Sequence, residues 1–286
     1  MHTRRCSERR FFLRPDPVTN NTYWYCLGWA AQKHGIVLHA AVAMSNHDHI
    51  AGTDTNGMYP DFLRDFHGLL ARAMNAHRGR WEHFWDSNQA SVVALEDEAA
   101  QLDKVVYILA NPVKVVGKAA VWPGPTALHS ILNGKPIVAN KPKHFFRSQD
   151  RGGSMPDTVS ITFVQPPALA HLSRAAYMAL LRERIAVVER DEAAERKRTG
   201  RKVLGRDQIL AQHWNDRPRN AEPRRQLIPT VACRDKWRRI ERLLQRKAFL
   251  AAYREAREAF RRGLPAIFPF GTWLLRFHSP IEVSTA

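Results

Sequence analysis

Apolar positions along the chain recur at two spacings, and the switches between them mark out the elements. Arg9 to Arg14 (Arg-Arg-Phe-Phe-Leu-Arg) is predicted as a first strand, broken by Pro15 and Pro17. Thr19 to His34 follows as a helix, with Tyr23, Leu27, Ala30 and Ala31 on one side and Gly35 at its end. Ile36 to Ala43 is an apolar run rich in β-formers. Ser45-Asn46 is a turn signal, and His47 to Gly52 returns as a second strand, so the two form a predicted hairpin. Pro60 suits a first helical position. From Asp61 to Arg80, Phe62, Phe66, Leu69, Leu70, Ala73 and Met74 fall at helical spacing. Ala90 to Leu95 is predicted as a strand, and Asp97 to Val116 as one helix capped by Gly117. The order β-α-β-β-α-β-α over residues 1–121 predicts an α+β core, an antiparallel sheet with helices packed on it.

Beyond Val121 the pattern changes. Residues 122–167 are rich in Pro, Gly, Ser and Lys, which predicts an irregular connector with one strand at Val159 to Val164. Residues 168–286 are predicted as a mainly helical basic extension. Its helices are His171 to Arg201, Gly205 to His213 and Cys233 to Arg262, with a Pro/Arg loop at Asp216 to Pro229. The aromatic tail Phe268 to Trp273 is expected to dock on another part of the chain.

The 286 residues carry a formal net charge of +17 and a pI near 10.4. Such a field attracts polyanions, with salt-dependent binding. No run of about 18 apolar residues is present, so no membrane partner is expected. The N-terminal Met1-His2-Thr3-Arg4-Arg5-Cys6 has charge without a following apolar stretch, unlike a signal peptide. Three widely spaced cysteines, Cys6, Cys26 and Cys233, suit reduced thiols in a cytosol. A bacterial cytoplasmic, nucleoid-associated protein is the expectation.

Two segments carry chemistry. In Asn46-His47-Asp48-His49, two histidines one residue apart on a strand share a face and can grip one divalent metal. In Tyr107-Ile108-Leu109-Ala110-Asn111-Pro112, a tyrosine and an asparagine four apart share a face of a helical turn. Imidazole nitrogens plus an amide oxygen suit Mg²⁺ or Mn²⁺, and leave room for phosphate oxygens. Tyr107 would then be an oxygen nucleophile toward a phosphodiester. Pro112 removes a donor and disfavours the α conformation at Asn111, so a kink is expected there.

Basic side chains that would contact nucleic acid phosphates are Arg64, Arg72, Arg78 and Arg80, on the predicted solvent face of one helix. Lys104 and Lys114 flank Tyr107. Arg238, Arg239 and Arg242 belong to a dense basic run on the C-terminal helix, where like charges repel unless a polyanion is present. Trp81, Phe84 and Trp85 suit base stacking, with core packing the better expectation.

These segments resemble the IS200-like single-tyrosine transposases, specifically the REP-associated tyrosine transposases, within the HUH single-strand DNA endonucleases. The resemblance covers roughly residues 3–120. It rests on Thr3 to Cys6 with Arg9 to Arg14, Ala43 to His49, Gly79 to Trp85, and Tyr107 to Lys114. It implies a ferredoxin-like core and metal ligands at His47, His49 and Asn111. It also implies Tyr107 as nucleophile, in metal-dependent nicking and joining of single-stranded DNA beside hairpins through a 5′-phosphotyrosyl link. Related proteins act as monomers or homodimers. The family's middle residue between the histidines is usually hydrophobic. Here it is Asp48, which must find a donor or lie at a wet strand end. Two alternatives stand beside this reading: a non-catalytic DNA- or RNA-binding protein on the same scaffold, and a rolling-circle replication initiator. Initiators commonly carry a lysine in the turn after the tyrosine, where this chain has Ile108-Leu109-Ala110-Asn111.

Overall fold

The apolar run beginning at Ile36 forms β2 (Ile36–Met44), which turns at Ser45 and Asn46 and returns as β3 (His47–Asp54). This is the expected hairpin, with Met44 opposite His47 and Val42 opposite His49. The computed structural model describes residues 1–88, 90–143, 155–220 and 229–285. Strand β1 (His2–Arg5) pairs antiparallel with β3, and the short β4 (Ser91–Val92) pairs antiparallel with β1. The sheet order is β2-β3-β1-β4. The protein is therefore α+β, built on an antiparallel four-stranded sheet.

The first strand departs from the sequence expectation. Arg9 to Arg14 contains no strand. Ser7–Arg9 is a 3-10 turn with Glu8 and Arg9 at φ of 51° and 60°, and Phe12 and Leu13 enter the core. The strand is instead His2–Arg5, whose residues show no apolar alternation. Its place between β3 and β4 supplies ladder partners on both sides, and that context outweighs the polar letters.

Helix α1 (Pro17–His34) starts two residues earlier than expected. Pro17 occupies the first turn, and the Asp16 side chain accepts from the Thr19 N–H at 2.7 Å. It stops at Gly35, whose φ of 67° suits glycine. Helix α2 (Tyr59–Arg78) buries Phe62, Phe66, Leu69, Leu70, Ala73 and Met74, the stripe read from the sequence. It ends at Gly79, so Arg80 lies beyond it.

The predicted strand Ala90 to Leu95 divides. Its second half, β5 (Ala94–Leu95), pairs parallel with β8 (Val231–Ala232) from the C-terminal region. The predicted helix Asp97 to Val116 also divides, into α3 (Glu98–Ala110) and α4 (Val113–Val116). Asn111 and Pro112 keep α-region angles at the joint, so Pro112 opens a new short helix where a sharp kink was expected.

Successive β3 side chains face opposite sides. Asp48 faces His67 of α2, whereas the His49 ring meets the Tyr107 ring of α3. Thus α1 and α2, packed on each other, cover one face of the sheet and α3 the other.

The segment 122–167 is less irregular than its composition suggests, although residues 144–154 lie outside the described residues. It holds α5 (Leu128–Asn133) and a ladder of β6 (Ile137–Asn140) with β7 (Thr158–Ile161). This ladder seats on α1 at Gly28, where a Cβ would come within 2.8 Å of Ile161. Downstream come α6 (Arg174–Thr199), α7 (Arg206–Ala211) and α8 (Lys236–Arg261), close to the predicted helices, and α9 (Trp273–His278), a short helix that was not predicted. Part of the Pro/Arg loop, residues 221–228, lies outside the described residues. The aromatic tail docks as expected. Phe268 is buried against Tyr253 and Phe260, and His278 reaches Asp61 of α2 at 2.7 Å. Among the described residues no helix is long and apolar enough to cross a membrane.

The start of α3 yields one stability prediction. Asp97 caps the helix through Ala100 and also accepts from the Cys233 thiol and the Arg234 and Asp235 N–H groups. Burial pushes its carboxyl up, but the Cys233 thiol and the backbone donors pull harder and hold it down at about 2. The folded value lies below the unfolded one of about 3.9. The stabilisation is therefore present above about pH 4 and lost as pH falls through about 2. Asp97→Ala should cost about 1 kcal/mol at neutral pH. It should also flatten the fall of melting temperature below pH 4, measured by thermal denaturation across pH.

Candidate functional site

His47 and His49 share the α3-facing side of β3, with ring centroids 4.9 Å apart. The Tyr107 ring stands 5.2 Å from that of His49, and the residue is 43% exposed. Two predicted ligands and the predicted nucleophile therefore come together from elements about sixty residues apart in sequence. Asn111 follows Tyr107 by four positions along continuous α-region backbone, which puts it on the same helical face.

Both imidazoles are oriented by neighbours. The Asn46 amide donates through Nδ2 to the Arg9 carbonyl at 3.1 Å, which turns its Oδ1 to His47 Nδ1 at 2.7 Å. An amide oxygen only accepts, so His47 Nδ1 carries the proton and Nε2 the lone pair. The Thr3 hydroxyl lies 2.6 Å from His49 Nδ1, because Thr3 stands directly opposite His49 in the β1–β3 ladder. Arg5 stands opposite His47 in the same way. The sequence reading missed Thr3, Asn46 and Arg5 as site residues. For Thr3 and Arg5 this depends on β1 lying beside β3, which the polar letters of β1 do not announce, whereas Asn46 precedes His47 and was legible only as a turn residue.

Asp48 points to the opposite face and is fully buried. It finds a donor in the Arg4 backbone N–H at 3.2 Å. Burial pushes its carboxyl up to about 7, against the downward pull of that N–H and of the Arg4 guanidinium. His2 and His67 lie beside it, and burial lowers both, His2 to about 3 and His67 well below the usual imidazole range.

His2, Asp48 and His67 offer ligating atoms all within 4.8 Å of one another, a group that could hold a metal ion. This is not the site expected from the sequence. The Arg4 guanidinium donates to His67 Nδ1 at 3.2 Å, so the neutral ring carries its proton on Nε2, beside Asp48. As built, the trio is a polar network around Asp48. Cation binding there must displace that proton and tolerate Arg4 alongside.

The predicted basic surface is not one stripe. Arg64 is exposed but paired with Asp61 at 2.6 Å. Arg72 is exposed. Arg78 requires correction, because its side chain is only 6% exposed and it is paired with Asp16 at 2.8 Å. Arg80 lies over the Phe12 ring at 3.6 Å. Lys104 stands 5.5 Å from the Tyr107 ring centroid, and Lys114 sits on α4 at 4.0 Å from Glu192. Arg238, Arg239 and Arg242 are exposed on α8, where Arg242 pairs with Glu96 at 2.8 Å. Phe84 and Trp85 are core residues, as expected, whereas Trp81 is 91% exposed.

Compared with protein-family models, with curated proteins and with solved structures, the chain gives no match in any of the three.

Proposed function

We propose that the protein is a metal-dependent single-strand DNA endonuclease and strand-transferase of the HUH type, acting through Tyr107. The observation that carries this reading is the convergence of His47, His49 and Tyr107 on one face of the sheet. The strand order β2-β3-β1-β4, with helices following β1 and β3, supports it, because that is the split βαβ order of ferredoxin-like cores.

The donor set fits a divalent ion such as Mg²⁺ or Mn²⁺. His47 presents its Nε2 lone pair, His49 is oriented by Thr3, and Asn111 brings an amide oxygen. Such an ion, when bound, would polarise the scissile phosphate and offset its charge. Tyr107 Oη gives up its proton and forms a bond to phosphorus, while the bond from phosphorus to the 3′ oxygen breaks. That oxygen takes a proton, and the 5′-phosphate stays on the tyrosine. Lys104, beside the ring, would contact the phosphate. Reversal by another 3′-hydroxyl joins strands without ATP. Asp48 faces away from this chemistry and leaves the histidine pair intact, so it gives the binding-only alternative no support. On this reading α8 faces the duplex or hairpin beside the cleaved strand.

The test uses single-stranded oligonucleotides from DNA flanking the gene, labelled at either end and incubated with Mg²⁺ or Mn²⁺ or with EDTA. The expected product on a denaturing gel is a protein adduct that keeps the 3′-end label only and needs the metal. Salt-sensitive binding with no adduct on any strand would replace the enzyme with a binding protein.

A further inference from the structure

Gly79 ends α2 with a φ of 63°, and the chain turns back so that the Arg80 N–H bonds the Asn75 carbonyl at 2.8 Å. That turn brings Arg80 and Trp81 beside Arg72 and Asn75 of the helix. These four residues line two adjoining cavities, of about 1150 and about 330 Å³. We propose that this place is a subsite for one unpaired nucleotide of the DNA strand. The inference rests on the single-strand reading above, but the residues are remote in sequence from the histidine pair and the tyrosine.

Three observations point to a nucleotide. Trp81 is 91% exposed on a turn held by hydrogen bonds, a stacking shelf with no ring on it among the described residues. Asn75 donates through Nδ2 to the Glu82 carbonyl at 2.7 Å, which fixes the amide, and its Oδ1 is buried with no hydrogen-bond partner among the described residues. The Arg80 guanidinium lies 3.6 Å from the Phe12 ring centroid and 5.8 Å from that of Trp214, and its Nη1 is likewise buried without a partner among the described residues. Both atoms are shut off from solvent and costly while unsatisfied, so a ligand reaches them only as the Trp81 turn shifts aside. A base edge offers both complements, and its π-face suits the indole. Arg72, exposed at the rim, suits the attached phosphate. The large cavity also shares Arg10 and Asn215 with a third, of about 830 Å³, that His47 lines. The two cavities thus meet at Arg10 and Asn215.

The experiment measures affinity by fluorescence anisotropy in the Tyr107→Phe protein, so that no covalent capture intervenes. Labelled single-stranded homopolymers and a duplex of the same length serve as probes. Trp81→Ala should weaken single-strand binding roughly tenfold or more, with Trp81→Phe close to the parent and the duplex unaffected. Asn75→Ala should narrow the differences in affinity among the four homopolymers. Unchanged single-strand affinity in Trp81→Ala would overturn the subsite, as would a change of oligomeric state by light scattering, which would make the shelf a protein interface. The two readings fail separately. Trp81-dependent binding without adducts keeps the subsite and removes the nuclease, whereas adducts with Trp81→Ala binding like the parent do the reverse.

Discussion

Tyr107→Phe is expected to lower covalent capture of single-stranded DNA by roughly 10³-fold or more, the scale on which loss of a reacting nucleophile is felt. The substitution removes one oxygen and keeps the ring, so the edge contact with His49 survives. The residue is 43% exposed, and changes of that kind usually move stability by less than about 0.5 kcal/mol. Folding and strand affinity should therefore match the parent while the adduct disappears. A tyrosine that merely packed on His49 would give the opposite pattern, with the adduct, if any, undiminished. His49→Ala should also stop capture, by removing a ligand, and supplies the second arm of the comparison. Persistence of the adduct in Tyr107→Phe, with capture lost in His49→Ala, would keep the metal chemistry and move the nucleophile to another side chain. Denaturing gels for the adduct and anisotropy for affinity separate these cases.

The site was more legible in the sequence than the frame that orients it. His47 and His49 share a face by strand periodicity alone, and the apolar run Ile36 to Ala43 before a Ser-Asn turn makes the hairpin plain. Tyr107 and Asn111 follow from helical spacing, although Pro112 splits the helix that carries them. Strand β1 was hidden because ladder neighbours on both sides hold its polar residues in the sheet, with only His2 buried, a tertiary effect without a local pattern. Thr3 and its bond to His49 were hidden with it. The β5–β8 pair joins two-residue strands across nearly half of the chain, too short for any periodicity and too distant for a turn signal. The expected strand Val159 to Val164 appears in part as β7, whereas its antiparallel partner β6 lay in a segment whose Pro, Gly and Lys content argued for irregularity; Val159 and Ile161 fill the space that Gly28 leaves on α1. Trp81 shows the converse. Packing was the better expectation for an aromatic residue near Phe84 and Trp85, but the αL turn at Gly79 carries it out to solvent.

Arg78→Ala is expected to destabilise the fold by about 2–3 kcal/mol without altering how DNA affinity depends on salt. Helical spacing alone put Arg78 in a row with Arg72, as a phosphate contact. In the structure its Nη2 donates to Asp16 Oδ2 and Thr19 Oγ1, both at 2.8 Å, and to the Arg14 carbonyl at 3.3 Å. The C-terminal end of α2 is thereby tied to the N-cap of α1, the two helices that together cover one face of the sheet. Removing the guanidinium strips Asp16, itself only 16% exposed, of a cation, and Arg14 at 3.2 Å compensates in part. The pair also sets an acid limb. Burial pushes the Asp16 carboxyl up, but the Thr19 N–H and Arg78 outweigh it and hold it below the usual range. Stability from Asp16 is thus complete above about pH 4 and is lost as pH falls through the lowered folded value. In Arg78→Ala that dependence should shrink, along with the melting temperature at neutral pH. Arg72→Ala should do the reverse, leaving the melt in place while taking roughly one unit from the salt slope. A normal melting temperature in Arg78→Ala, accompanied by a reduced salt slope, would return Arg78 to the DNA surface and show the bond to Asp16 to be dispensable.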